Sequence, residues 1–386
     1  MKAAIMFRVF GPYNKARLRA LARLSNWTLT GIRLCVKDDS RPWDDRDTDG
    51  LYETVTLSDV ADSTTNSYAL TQRVLETFRS VKPDVVILAG YTGLPFVAAA
   101  LWAQRHASLN ILLSESTFFD RRRGGIWKGM ARRAFIKRLF HGAFVGGERA
   151  RHYLETSRFP PGRIVTGYDV VDNSYFEKSS AEAHRNPALK ARMGLPSQYF
   201  LYVGRFSPEK NLLKLLRAHK LYWRISGSQA WPVVLVGDGP QRPSIEQLVA
   251  EEHLEGVYLT GFKQVEELPV YYAFAGCFVL ASSSEPWGLV VNEAMACGLP
   301  VLVSQRCGCV PELVRDGING YTFDPHDERK LSELMLLVSS QKAGRQAMGE
   351  ASRFLVARFT PETWAKNLLQ LVCKLRPGSF DQVGKP

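Results

Sequence analysis

The chain has 386 residues, 45% hydrophobic and 23% charged, with 50 Lys and Arg against 38 Asp and Glu and a formal charge of +12. That length exceeds a typical single core and implies two domains of about 150–200 residues in an ordinary soluble globular protein. Six cysteines with no Cys-x-x-Cys pair, and Cys307-Gly308-Cys309 at a spacing unsuited to a zinc knuckle, give no zinc site and read as thiols of a reducing compartment.

The chain opens on Met1-Lys2-Ala3-Ala4-Ile5-Met6-Phe7-Arg8, an apolar run too short for a signal-peptide core, which reads as a first strand over Ala3–Val9. Further strands are predicted at Thr30–Val36, Glu53–Leu57, Val85–Ala89, Asn110–Ser114, Ala143–Val145 and Arg163–Thr166. Helices are predicted between them at Lys15–Leu24, Tyr68–Ser80, Pro95–His106, Lys128–Phe140 and Arg149–Ser157. Val85 to Ala103 carries no charge and approaches membrane-spanning length, but Gly90-Tyr91-Thr92-Gly93-Leu94-Pro95 breaks it into strand, turn and helix. The acidic Asp44-Asp45-Arg46-Asp47-Thr48-Asp49, flanked by Pro42 and Gly50, reads as a solvated loop and not a metal site.

Charge is uneven. Residues 1–180 hold 27 Lys and Arg against 18 Asp and Glu, and eight of those cations lie between Asp120 and Glu148 with no carboxylate among them. Ile126, Met130, Ala134 and Phe135 recur there at helical spacing, so 121–140 reads either as a basic amphipathic helix on an anionic membrane or as the solvated face of a core helix. No recognition motif accompanies the charge, and nucleic acid is not an expected partner.

From Phe176 to Ser197 the chain turns polar, which reads as a linker. The strand–helix alternation then restarts, with strands at Tyr199–Val203, Val233–Val236, Val257–Leu259, Cys277–Ala281, Pro300–Val303 and Gly320–Phe323. Helices are predicted at Lys210–Trp223, Gln241–Glu252, Val265–Phe274, Gly288–Cys297, Cys309–Asp316 and Asp327–Ser339, with more helix to about Leu375. The predicted fold class is α/β, two doubly wound, mainly parallel domains facing across a cleft. The domains are placed at 1–180 and 195–360, followed by a helical segment, 361–386.

The chemistry concentrates where strands of the second domain end. Glu285-Pro286-Trp287-Gly288-Leu289-Val290-Val291-Asn292-Glu293 follows an apolar strand and leads into a helix, so its two carboxylates are expected at the strand's carboxyl end and in the first turn of the next helix, the crevice where open α/β sheets take ligands. Gly288 lets backbone approach a ligand, and the helix N-terminus suits an anion. Acids beside an anion site fit a ligand with both hydroxyls and phosphates. Gly204-Arg205 and Glu209-Lys210-Asn211 supply cations for a diphosphate, Gly237-Asp238-Gly239-Pro240 a tight turn, and Thr260-Gly261-Phe262 backbone for a base. Singly, each has an ordinary structural reading. A two-acid glycosidase would leave Arg205 and Lys210 without an anion.

In order and spacing, Gly204-Arg205-Phe206-x-x-x-Lys210-Asn211, Val236-Gly237-Asp238-Gly239-Pro240, Gly261-Phe262 and Glu285-x7-Glu293-Ala-x-Ala-x-Gly-x-Pro300 resemble the donor domain of glycosyltransferase family 4, over roughly Tyr199 to Asp327. The resemblance implies the GT-B architecture and retaining transfer of a hexosyl group from a nucleotide-diphosphate sugar, a UDP-sugar before a GDP-sugar, to a saccharide or lipid-linked acceptor. It implies Arg205 and Lys210 on the diphosphate, Glu285 on sugar hydroxyls, Gly288, Leu289 and Val290 near sugar and phosphate, and Glu293 on the ribose. Phe262 and Lys263 would lie near the base, with Gly204, Gly237 and Gly261 in the donor loops. No metal or other cofactor is implied. In the first domain Gly11 of Gly11-Pro12-Tyr13 occupies the family's glycine-loop position. Where many members carry a histidine this chain has Ser114-Glu115-Ser116, and Glu115 is the substitute. His141 and His152 read as structural. The segment starting at Tyr168 fits the family's inter-domain stretch, and Pro361–Leu375 would cross back to the first domain. The expected location is cytoplasmic, with 121–140 as a peripheral contact to the inner membrane face. The competing expectation is a non-catalytic nucleotide-sugar or membrane-binding scaffold of the same fold.

Overall fold

A computed structural model describes residues 1–36, 50–60, 66–119, 135–340 and 342–376. The acidic loop 44–49 and most of the basic stretch 121–140 lie outside the described residues. Residues 135–139 are helical, and Ile136, Leu139 and Phe140 are buried. The chain divides into two units, Met1–Val170 with Thr360–Pro386, and Val171–Phe359.

In the first unit a seven-stranded parallel sheet runs in the order β3-β2-β1-β4-β5-β6-β7. Its strands are β1 Lys2–Phe7, β2 Thr28–Arg33, β3 Glu53–Thr56, β4 Val85–Ala89, β5 Leu109–Ser114, β6 Gly142–Val145 and β7 Ile164–Thr166. Apolar residues such as Ile5, Ile87, Ile111 and Phe144 are fully buried, as expected of strands covered on both faces. Helices α1 (Pro12–Leu24), α2 (Ser67–Val81), α3 (Leu94–Arg105) and α4 (Glu148–Thr156) connect them, and the last helix, Pro361–Leu375, packs on α1 and β6. Trp364 of that helix is fully buried with its ring 5.8 Å from Phe144. The order reverses between β1 and β4, so the loop containing Gly11 leaves the sheet at a topological switch point.

The second unit opens on α5 (Asn173–His184) and α6 (Pro187–Arg192). The polar stretch 176–197 is therefore largely helical, and the boundary falls earlier, at Val170–Val171. Local chemistry explains the difference. Asp172 caps α5 by accepting from Tyr175 N–H at 2.9 Å, and Phe176 and Ala183 recur at helical spacing and are buried. Six parallel strands follow in the order β10-β9-β8-β11-β12-β13: β8 Phe200–Val203, β9 Val233–Val236, β10 Val257–Leu259, β11 Cys277–Leu280, β12 Val301–Ser304 and β13 Gly320–Phe323. The intervening helices include α7 (Leu212–Ser226), α8 (Arg242–Glu251), α9 (Leu268–Phe274) and α10 (Leu289–Ala296). Here the order reverses between β8 and β11, and the ligand crevice is expected outside their carboxyl ends.

Candidate active site

Residues Arg205 to Lys210 leave β8, and Glu285 follows β11, so the two loops flank the switch point of the second sheet. Lys210 Nζ contacts Glu285 Oε2 across it. Ser282 Oγ also donates to that oxygen, at 3.3 Å, and Glu285 is only 9% exposed. Lys210 closes a short 3-10 turn, Pro208–Lys210, and Asn211 follows in the left-handed region at φ +59°. The Asn211 side chain holds that conformation by donating to the carbonyls of Ala281 (3.1 Å) and Pro325 (2.7 Å). Asn is among the few residues that enter this region readily. Lys210 is thus aimed by the backbone before it and anchored by the residue after it.

Arg205 is exposed, and Tyr202 Oη donates to its carbonyl at 2.9 Å. Burial pushes the Tyr202 hydroxyl pKa well above its ordinary value, reinforced by the charges of Glu285 and Glu209, so it stays a neutral donor. Glu209 carries a third carboxylate beside the cations. Burial alone would raise its pKa, but the Ser207 hydroxyl, a backbone hydrogen bond, Lys210 and Arg205 together hold it below its usual value. The Glu209 carbonyl accepts from Ser283 N–H at 2.8 Å and Ser283 Oγ at 3.2 Å, joining the β8 and β11 loops.

The neighbouring loops are laced to this one. Gly204 N–H donates to Val236 O at 3.0 Å, Gly237 N–H to Gly261 O at 2.9 Å, and Phe206 N–H to Asp238 O at 2.8 Å. A Cβ on Gly237, whose φ is +142°, would stand 1.9 Å from the Gly204 carbonyl oxygen. Only glycine allows the β8 and β9 loops to approach this closely. Phe262 and Lys263 follow Gly261 and are half-buried, with Lys263 Nζ 3.5 Å from Glu267.

Gly288 is the N-cap of α10 at φ +105°, and no side chain caps that terminus. Leu289 and Val290 form its half-buried first turn, which leaves backbone N–H groups and the positive end of the helix dipole at the crevice. Trp287 is buried, its indole N–H donating to Asn292 Oδ1 at 2.9 Å. Glu293 lies in the second turn of α10, not the first, and is 0% exposed. Its Oε2 accepts from Tyr272 Oη at 2.7 Å.

The second unit therefore gathers Gly204, Arg205, Lys210, Gly237, Gly261, Glu285 and Gly288 along the carboxyl edge of one sheet, with Glu293 directly beneath. Gly11 and Glu115 belong to the first unit. Gly11 is the N-cap of α1, where its carbonyl accepts from Asn14 and Lys15 N–H. Glu115 is half-buried just after β5, and with Asp169 it helps burial raise the Tyr168 hydroxyl pKa. His141 Nδ1 accepts from Asn110 N–H at 3.0 Å. Sequence reasoning missed Tyr272, Ser282 and the anchoring part of Asn211. Tyr272 and Glu293 are 21 residues apart, and an apolar stretch gives no signal that one hydroxyl turns toward a carboxylate. Asn211 beside Lys210 was visible, but its acceptors are two distant carbonyls.

Among the described residues no helix is long and apolar enough to cross a membrane, and no group of three or more His, Cys, Asp or Glu is disposed to hold a metal.

Residues 190–354 match the family described as Glycosyl transferases group 1. The chain is 32% identical over 212 residues to O-antigen chain mannosyltransferase B of Escherichia coli, covering 53% of this chain and 54% of that one. It is 27% identical over 266 residues to alpha-D-kanosaminyltransferase of Streptomyces kanamyceticus, covering 68% and 66%. It thus spans between half and two thirds of these relatives. Among solved structures, Anabaena Alr3699/HepE in complex with UDP superposes with a TM-score of 0.75 at 15% identity, over 97% of this chain and 100% of that one. Sucrose-phosphate synthase from Thermosynechococcus elongatus gives 0.75 at 20% identity, over 97% and 98%. At such identities the likeness is one of fold, and that fold is GT-B. The residues that match the glycosyl transferases group 1 family, the motifs in their order and the switch-point site all lie in the second unit.

Proposed function

We propose that the protein is a retaining glycosyltransferase that moves a hexosyl group from a nucleotide-diphosphate sugar, a UDP-sugar before a GDP-sugar, to a hydroxyl of a saccharide or lipid-linked acceptor. The observation that carries this reading is the Lys210–Glu285 contact across the β8/β11 switch point, beside Arg205 and the uncapped start of α10. Cations and N–H groups there suit a diphosphate, and a carboxylate held by Lys210 and Ser282 suits sugar hydroxyls. The solved complexes of Anabaena Alr3699/HepE with UDP and with UDP-glucose support a nucleotide-sugar ligand for this fold.

In the proposed reaction the bond between the anomeric carbon and the β-phosphate oxygen breaks while the acceptor oxygen bonds to that carbon on the same face. The leaving phosphate takes the acceptor's proton. Arg205 and Lys210 stabilise the charge that grows on the diphosphate, doing the electrostatic work of a divalent ion, so no metal or other cofactor is required. Glu285 orients the sugar through its hydroxyls, Glu293 is assigned to the ribose, and Phe262 and Lys263 to the base. Gly11 and Glu115 are the first unit's proposed contributions, as donor loop and acid–base group. The proposed setting is cytoplasmic, with 121–140 against an anionic membrane.

A panel of UDP-, GDP- and ADP-sugars, assayed for release of the nucleotide with and without acceptor, tests the reading. Turnover of one donor that Glu285→Ala abolishes is expected. No binding or turnover of any donor, with Glu285→Ala matching the parent, would leave a non-catalytic scaffold in its place.

A further inference from the structure

The first unit holds a cavity of about 500 Å³ on the edge of its sheet opposite to Gly11 and Glu115. It lies where α2 and α3 end and β4 and β5 begin, and Arg376, just past the last helix, closes it. Its charged walls are Arg79, Lys82, Arg376 and one acid, Asp84, with His106 beside them. Asp84 Oδ2 already accepts from Lys2 N–H at 2.8 Å. The volume is within the usual range of small-molecule sites.

Two features separate this cluster from ordinary helix-end charges. Helix C-termini attract cations, and Arg79 in the last turn of α2 meets that need there. For α3 the last-turn cation is Arg105, which does not line the cavity. Lys82 and Arg376 therefore exceed what the two helix ends call for. The second feature is backbone conformation. Lys82 (φ +48°) and Ala107 (φ +56°) both line the cavity and both lie in the left-handed region, where glycine is the unstrained choice. Strain of this kind gathers at ligand sites. At Lys82 it keeps an ammonium at the cavity wall where a glycine cap would supply none. The remaining wall is aromatic: Trp102 stacks on His106 with centroids 4.0 Å apart, and His106 Nδ1 donates to Trp102 O at 2.9 Å.

We propose that this cavity is a second ligand site, for the phosphate group of a phosphorylated organic molecule. Arg79, Lys82 and Arg376 would neutralise the phosphate, and the Trp102–His106 wall would pack on the rest of the molecule. The same chemistry is offered by a soluble phosphate ester and by an anionic lipid headgroup. The inference does not rest on the transferase reading, since none of its residues belongs to the donor site.

The test uses the full chain and the double variant Arg79→Gln, Lys82→Gly. Glycine is the residue that the Lys82 backbone favours, so the fold is kept, and thermal unfolding checks that it is. One arm titrates glucose 6-phosphate by calorimetry; the other measures co-sedimentation with phosphatidylglycerol vesicles against phosphatidylcholine vesicles. Loss of two charge-assisted contacts should weaken the affected arm by about tenfold or more. A loss confined to glucose 6-phosphate supports the site with a soluble ligand; a loss confined to phosphatidylglycerol supports it with a lipid. Failure of both probes to bind the parent chain, or equal binding by the folded variant, overturns the proposal.

Discussion

Tyr272 donates its hydroxyl proton to Glu293 Oε2 at 2.7 Å, and both side chains are fully buried. The phenol helps to orient this carboxylate before any ligand arrives. Tyr272→Phe keeps the ring and its edge contact with Phe176 but removes the donor. Stability should fall by about 1–3 kcal/mol in denaturant titration. If Glu293 serves the ribose, KM for the donor should rise more than kcat falls. A 2′-deoxyribose donor should then show a smaller rise, and an equal rise would remove Tyr272 from that part.

Lys210 is the cation that Glu285 sees most directly. Replacing it by Met leaves a nearly buried carboxylate that still accepts from the Ser282 hydroxyl but has lost its ammonium. We expect transfer to fall by about 10²–10³-fold, as when a transition-state donor is removed. Steady-state kinetics would check this, and a variant within a factor of two of the parent would take Lys210 out of the reaction.

Gly237 and Gly261 both have positive φ but differ in space. A Cβ at Gly237 meets the Gly204 carbonyl at 1.9 Å, whereas at Gly261 it meets nothing within 4 Å. Gly261→Ala should lose only the left-handed penalty of about 1–2 kcal/mol. Gly237→Ala should lose clearly more, because backbone must shift. Chemical unfolding of the two variants ranks them, and the reverse order would contradict the close approach.

Acid should weaken the second unit through His219. It lies on α7, is 1% exposed and donates from Nε2 to Trp231 O at 2.9 Å. Burial depresses its pKa from 6.5 to about 4, although the bond to Trp231 acts the other way. The unfolded chain therefore takes up a proton that the folded chain refuses. This contribution is complete above pH 6.5, declines as pH falls, and is gone below about 4, amounting to about 3 kcal/mol. His219→Gln, which keeps a donor, should flatten stability over that window in unfolding curves taken at several pH values.

How far the sequence revealed these features depended on how local they are. Val85–Ala89, Val233–Val236, Val257–Leu259 and Gly320–Phe323 were legible to the residue, because an apolar run between turn signals is complete in itself. The positions of Gly204, Gly237 and Gly261 at strand ends were legible because these motifs directly follow apolar runs. The polar composition of 176–197 hid two helices, since Phe176 and Ala183 reveal an apolar face only once α9 and α10 are there to receive it. Glu293 reads as a first-turn residue but lies in the second turn, because the helix has already begun at Leu289, four residues before it. Tyr272 and Asn211 act on groups far away in the chain, and no spacing rule reaches them.

The interlock of the β8, β9 and β10 loops bears on how such a protein can change its preferences. Gly204 N–H donates to the Val236 carbonyl and Gly237 N–H to the Gly261 carbonyl, and Phe206 and Asp238 add a further tie. A segment grafted into one of these loops from a relative would have to reproduce contacts made by the other two. Loop exchange should therefore succeed only with all three segments together, whereas side chains outside the interlock can be varied singly. If Phe262 and Lys263 meet the base as proposed, their side chains are where donor preference would be varied first.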